Sequence, residues 1–130
     1  MDMVSYNKPV LLDTNIIIYA VSEPFDLISQ IKEIGFNDIV IIESIIKELK
    51  RLSTKGNNKE RKFAKLALDL CKKFRIEKDP PITGSIDDKI IYVAKNKGYI
   101  IATSDVLLRG RLKELGLTTI YLKDKRLQLD

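Results

Sequence analysis

The 130-residue chain has no histidine and no tryptophan, and only one cysteine. Without histidine there is no Ser–His–Asp triad, no imidazole acid–base catalysis and no histidine-ligated zinc. Any catalysis must rest on carboxylates, with a hard metal ion as their natural companion. Cys71 alone allows no internal disulfide and suits a reducing cytoplasm. Its place on an apolar helix face makes it a small core residue. No apolar run approaches the roughly 20 residues that cross a bilayer, and Met1 to Lys8 lacks the apolar stretch of a secretory leader. These absences lead us to expect a cytoplasmic protein with no membrane association.

What is present is 45% hydrophobic and 32% charged residues, enough for one globular domain over residues 1–130 with a real core. The net charge of +5 and pI near 9.3 suit a polyanionic partner, although a lysine-rich surface gives the same figures.

The chain alternates apolar strands with amphipathic helices. Pro9 to Leu12 reads as a strand buried on both faces, followed by Asp13 and a short helix that Thr14 or Asn15 can cap. Asp26 to Ile34 is a helix stopped by Gly35, and Ile39 to Ile42 a second buried strand. Ser44 can cap a helix to about Leu52, and Ser53 to Lys59 reads as a basic loop. Lys59 to Lys73 forms a helix whose apolar stripe includes Phe63, Leu66, Ala67, Leu70 and Cys71. A short strand over Phe74 to Ile76 ends at Asp79-Pro-Pro. Then come a helix from Ser85 to Asn96, a strand over Tyr99 to Thr103, a helix from Ser104 or Asp105 to Gly116, and a strand over Thr118 to Leu122. Lys123 to Asp130 can add an edge strand. This alternation predicts a three-layer α/β/α sandwich with a mainly parallel central sheet.

Acids recur where strands hand over to helices: Asp13 after the first strand, Asp87 and Asp88 in the first turn of the Ser85 helix, Asp105 after the Tyr99 strand. In a parallel sheet those points lie along one edge. Glu48 falls on the border between the apolar stripe Ile45–Leu49–Leu52 and the basic face of its helix. Helix capping alone can account for Asp88 in Ser85-x-x-Asp88, and in part for Asp105. The whole set is harder to explain that way, because clustered carboxylates repel unless a cation lies between them. An all-oxygen group of this kind suits Mg²⁺ or Mn²⁺.

Four stretches in order carry a resemblance: Leu12-Asp13-Thr14-Asn15, Ile45-Ile-Lys-Glu48-Leu, Ser85-Ile-Asp87-Asp88-Lys-Ile90 and Ala102-Thr103-Ser104-Asp105. Together they resemble the PIN domain, a family of metal-dependent ribonucleases, from about Pro9 to Leu122. The resemblance implies that Asp13, Glu48, Asp87 and Asp105 form an acidic catalytic pocket holding Mg²⁺ or Mn²⁺, and that RNA is cut to 5′-phosphate and 3′-hydroxyl ends. Asp88 would be a secondary metal ligand, with Asn15, Thr103 and Ser104 supporting the acids. Ser104 stands where the family often has asparagine. The short stretch between Glu48 and Asp87, the Asp87-Asp88 pair and the Ile120-Tyr-Leu ending are similar to the PIN nucleases of small-subunit ribosomal RNA processing. VapC-type toxins come second, and a non-catalytic RNA- or protein-binding module third. The partners implied are RNA, a second copy of the chain, or a protein that delivers substrate. Lys47, Lys50, Arg51, Lys55, Arg109 and Arg111 are candidate phosphate contacts. No exposed aromatic is interleaved with them, so base stacking is expected to contribute little.

Overall fold

Val10, Leu11 and Leu12 are completely buried and form strand β1 (Val10–Leu12), the middle of a six-stranded sheet. The structure, a computed structural model, describes residues 8–130. The expectation for Met1 to Lys8 therefore falls, up to residue 7, outside the described residues. Around β1 stand β2 (Ile39–Ile42), β3 (Arg75–Glu77), β4 (Ile100–Thr103), β5 (Thr119–Lys123) and β6 (Arg126–Leu129), in the order β3-β2-β1-β4-β5-β6. The first five are parallel; β6 pairs antiparallel with β5, so the charged tail is the edge strand its alternation suggests. All four residues of β2 and of β4 are buried, as strands covered on both faces must be.

Six helices connect the strands: α1 (Thr14–Ser22), α2 (Leu27–Ile34), α3 (Glu43–Lys55), α4 (Asn58–Cys71), α5 (Ile86–Lys97) and α6 (Val106–Glu114). From β1 the chain steps outward through β2 to β3, then crosses back to β4 and β5. With right-handed crossovers, that reversal puts α1 to α4 on one face and α5 and α6 on the other. It also makes the gap between β1 and β4 the topological switch point, where open α/β sheets place their ligands. Among the described residues no helix is long and apolar enough to cross a membrane.

Three local readings need correction. Asp13 itself caps α1, accepting from the Ile16 N–H at 2.8 Å, so neither Thr14 nor Asn15 does. Helix α3 runs three residues past Leu52, into the stretch read as a loop. The Ser53 hydroxyl donates back to the Lys50 carbonyl at 2.7 Å and Thr54 to that of Arg51 at 3.2 Å, so their polar groups are satisfied inside the helix. Finally, α3 begins at Glu43 with no side-chain cap of its own. The cap acceptor is Asp79, 35 residues on, which takes the Ser44 N–H at 2.9 Å and is itself held by Lys89 of α5 at 3.0 Å. Asp79→Ala should therefore loosen the first turn of α3, the helix that carries Glu48. We expect a loss of about 1–2 kcal/mol, read from denaturant melts, with Asp79→Asn losing less. Equal stability of the alanine variant and the parent would show that the cap is idle.

Candidate active site

At the switch point, the Asp13 N–H donates to the Ala102 carbonyl of β4 at 3.2 Å, which pins the end of β1 to its neighbour. The Asp13 carboxylate is only 4% exposed. One oxygen caps α1; the other accepts from the hydroxyl of Thr103, the last residue of β4. That hydroxyl also accepts the Asp105 N–H at 2.9 Å. A single completely buried threonine thus links the first acid to the loop carrying the fourth. Asp105 caps α6 in the same way that Asp13 caps α1, taking the Leu107 and Leu108 N–H groups at 2.8 and 3.2 Å. Asp87 lies in the first turn of α5. Three helix N-termini, each with a partial positive charge, therefore carry these acids: Asp13 on α1, Asp105 on α6, and Asp87 beside Asp88 on α5.

Burial raises the Asp13 carboxyl to about 6, against the pull of the Thr103 and Ile16 donors and with help from Asp105 and Asp87. Asp87 is raised too, first by burial and then by Asp105, with Arg111 opposing. Asp13 therefore feels the charges of Asp105 and Asp87, and Asp87 that of Asp105. Glu48 is held differently: Arg51, one turn on, grips both its oxygens at 3.2 and 2.7 Å and keeps its carboxyl below the ordinary value.

Asp13, Glu48 and Asp87 line one cavity of about 570 Å³, together with Thr14 and Asn15. Asp105 is not part of its wall, although its charge acts on both Asp13 and Asp87. Asp88 is engaged elsewhere. It closes a capping box with Ser85, and Arg111 takes its other oxygen at 3.1 Å. Ser104 is half-buried, with no side-chain hydrogen bond among the described residues. Of the proposed phosphate contacts, Lys47, Lys50 and Lys55 are exposed along α3. Arg51 is tied to Glu48 and Arg111 to Asp88, while Arg109 binds Asp130 at 3.1 Å and stacks 3.6 Å above the Tyr121 ring. Cys71 is buried, and its thiol is pushed up to about 11, so it stays protonated and packs as a small hydrophobe.

Among the described residues no three acids converge closely enough to enclose an ion by themselves. Mg²⁺ and Mn²⁺ need no such cage, since they commonly sit on one or two carboxylates and retain water. The donors present are all oxygen, which is what such an ion prefers. Thr14 Oγ1, in the same cavity, is buried with no hydrogen-bond partner among the described residues, an orphan that an ion's water shell would satisfy. The residues therefore fit a hard divalent cation.

Two features were beyond sequence reasoning. Asp79 and Lys89 brace α3 against α5 through contacts between distant parts of the chain. Phe63, assigned by its helical spacing to the core stripe of α4, is only half-buried and forms part of the cavity wall.

The fold that carries this site has counterparts among known proteins. Residues 10–125 match the family model described as a PIN like domain. The chain is 32% identical over 117 residues to Ribonuclease VapC9 of Archaeoglobus fulgidus, covering 89% of this chain and 84% of the relative. Among solved structures, the PIN domain endonuclease Utp24 superposes with a TM-score of 0.73 at 24% identity, over 94% of this chain and 90% of that one. A chain of VapBC2 from Rickettsia felis, bound to a DNA fragment from its promoter, gives 0.66 at 20% identity, over 88% and 99%. A mainly parallel sheet with acids at its switch point, matched along nearly its whole length, places this chain in the PIN-domain family.

Proposed function

We propose that the protein is a metal-dependent endoribonuclease, hydrolysing RNA phosphodiesters at the cavity lined by Asp13, Glu48 and Asp87. The observation that carries this reading is the state of Asp13: buried, raised to about 6 and coupled in charge to Asp87 and Asp105. Such an acid is poised to exchange its proton for a cation. Asp13 and Asp87 would hold Mg²⁺ or Mn²⁺, with Asp105 and Glu48 acting directly or through water. The ion when bound supplies charge to offset that of the phosphodiester, and Lewis acidity toward water. The chain's own residues orient the reaction. Thr103 fixes the direction of the Asp13 carboxylate, and the Asp79–Lys89 brace holds α3 and hence Glu48. Arg51, paired with Glu48 on the cavity wall, would serve as a contact to a phosphate oxygen if Glu48 engaged the ion instead. In this reading Asp88 and Arg111 keep α5 and α6 in register.

We favour a role in RNA processing, supported by the short connection from Glu48 to Asp87, the Asp87-Asp88 pair and the Ile120-Tyr-Leu ending. A toxin ribonuclease with a separate inhibitory partner is the second reading, supported by the identity to VapC9. Incubating purified protein with total RNA in Mn²⁺, Mg²⁺ or EDTA, followed by mapping of the ends, tests the activity. We expect cuts bearing 5′-phosphates in either metal and none in EDTA. Undiminished cutting in EDTA, or none in any metal, would sink the proposal. Growth arrest on modest expression, relieved by a neighbouring gene, would move the role to the toxin reading.

A further inference from the structure

Besides the acids Asp13, Glu48, Glu60 and Asp87, the wall of the cavity is mostly apolar, formed by Ile18 of α1, Leu52 of α3, Phe63 of α4 and Ile86 of α5. A metal site alone has no use for this surface. Arg51 and Lys59 border the same space, and Lys59 makes no ion pair among the described residues. Lys62 does not line the cavity, but its ammonium lies 5.7 Å from the Phe63 ring centroid. An aromatic ring and aliphatic walls beside two cations match a nucleotide, with an apolar base face joined to an anionic backbone. We infer that this wall is a slot for one unpaired nucleobase of single-stranded RNA, next to the phosphate that reaches Asp13 and Asp87. The inference rests on the endoribonuclease reading and deepens it by specifying the substrate as unpaired at that position.

A base in a duplex is stacked on both faces and would have to leave the helix at a cost of a few kcal/mol. A base in a loop or single strand is already free. The slot therefore selects for RNA structure rather than for sequence, because every base has a face to offer a ring. On this inference stacking contributes where the sequence alone leads us to expect little. That expectation considered only exposed aromatics beside the basic residues, and Phe63 lies inside the cavity.

The test is a cycle between protein and RNA. Single-stranded RNAs of about ten nucleotides, within the usual range of single-strand sites, are made with one abasic nucleotide at each position in turn. Binding to the full chain is measured by fluorescence anisotropy in EDTA, so that no cleavage intervenes. At one position the abasic substitution should weaken binding to the parent protein by about tenfold, the usual scale for one stacked base. The same substitution should cost Phe63→Ala less than about twofold, while Phe63→Tyr should behave like the parent. Phe63→Leu, which keeps the apolar packing of α4, guards against an unfolded alanine variant and should also be nearly insensitive. Indifference of the parent at every position, or equal sensitivity in the alanine and leucine variants, overturns the slot. The outcomes separate the two ideas. RNA cleavage without the cycle removes the slot alone, and an intact cycle in a protein that cuts no RNA removes the nuclease reading alone.

Discussion

Asp13→Asn should lower RNA cleavage by roughly a thousandfold or more, the scale of several kcal/mol of metal-ion stabilisation, while making the metal-free protein more stable at neutral pH. The two effects share one cause. Asn keeps the volume of Asp13 and is an equally good N-cap for the Ile16 N–H, so α1 should be undisturbed. What is lost is a charge held in a nearly closed site and, with the second oxygen, the acceptor of the Thr103 hydroxyl, as also happens when Asp13 is protonated. Burial first, and Asp105 and Asp87 after it, raise this carboxyl from about 3.8 to about 6. The protonated acid therefore favours the folded chain. That contribution is fully present below about 3.8 and is lost as pH rises through about 6. Asparagine has no charge to acquire, so the variant should gain on the parent between those values and keep the gain above them. A difference of that size corresponds to at most about 3 kcal/mol, and relaxation around the acid will reduce it. Thermal melts in EDTA at pH 4 and pH 8 are the check. Near-equal melting at the lower pH and a higher value for the variant at the upper one are expected. Adding Mn²⁺ should then raise the parent more than the variant, because ligand binding stabilises by RT ln(1 + [L]/Kd). A variant that melts below the parent at pH 8, or cuts RNA at the parental rate, would make Asp13 a structural cap and nothing more.

Asp13 was legible in the sequence because the signal is local. A short apolar run ending in an acid reads as a buried strand that delivers Asp13 at its C-terminal end, and β1 is that strand. Asp105 was legible for the same reason, and Asp88 because Ser85-x-x-Asp88 is a complete capping box within four residues. Parallel strands alternating with helices gave the sheet, and Gly35, with φ of 120°, ends α2 as expected, as Gly98, with φ of 71°, ends α5. The misses are of another kind. Asp79 caps a helix 35 residues before it, and no pattern inside either segment announces that contact. Phe63 sits on a regular apolar stripe, and periodicity records which face a residue shares without recording whether another element covers it. Ser53 and Thr54 looked like loop residues because their hydroxyls compete for backbone groups; here that competition is settled within α3. Pairings such as Arg51 with Glu48 are likewise geometric facts, since the three-residue spacing permits the contact without requiring it.

The second large effect belongs to Thr103, whose hydroxyl is fully buried and has two partners. It donates to Asp13 and accepts from the Asp105 N–H. Thr103→Val keeps the shape and removes both bonds. The Asp105 N–H and one oxygen of Asp13 are then left without their partner in a site that water reaches poorly, at a cost of about 1–3 kcal/mol. The hydroxyl also holds the Asp13 carboxyl down against burial. Without it the acid should give up its proton only at still higher pH. Cleavage near neutrality should therefore fall by about 10- to 100-fold, as when a group supporting a metal ligand is removed. The loss should shrink as pH is raised, because the ligand form of Asp13 returns. Thr103→Ser provides the control. It restores both hydrogen bonds and sacrifices one methyl group, so it should melt about 1 kcal/mol below the parent yet keep the parental pH profile. A residue that merely fills space predicts the reverse, with valine harmless and serine the damaging change. Rate against pH for the three proteins, beside their melting curves, decides between the two. An unshifted profile in Thr103→Val would reduce Thr103 to packing, and with it the argument that one hydroxyl orients the site.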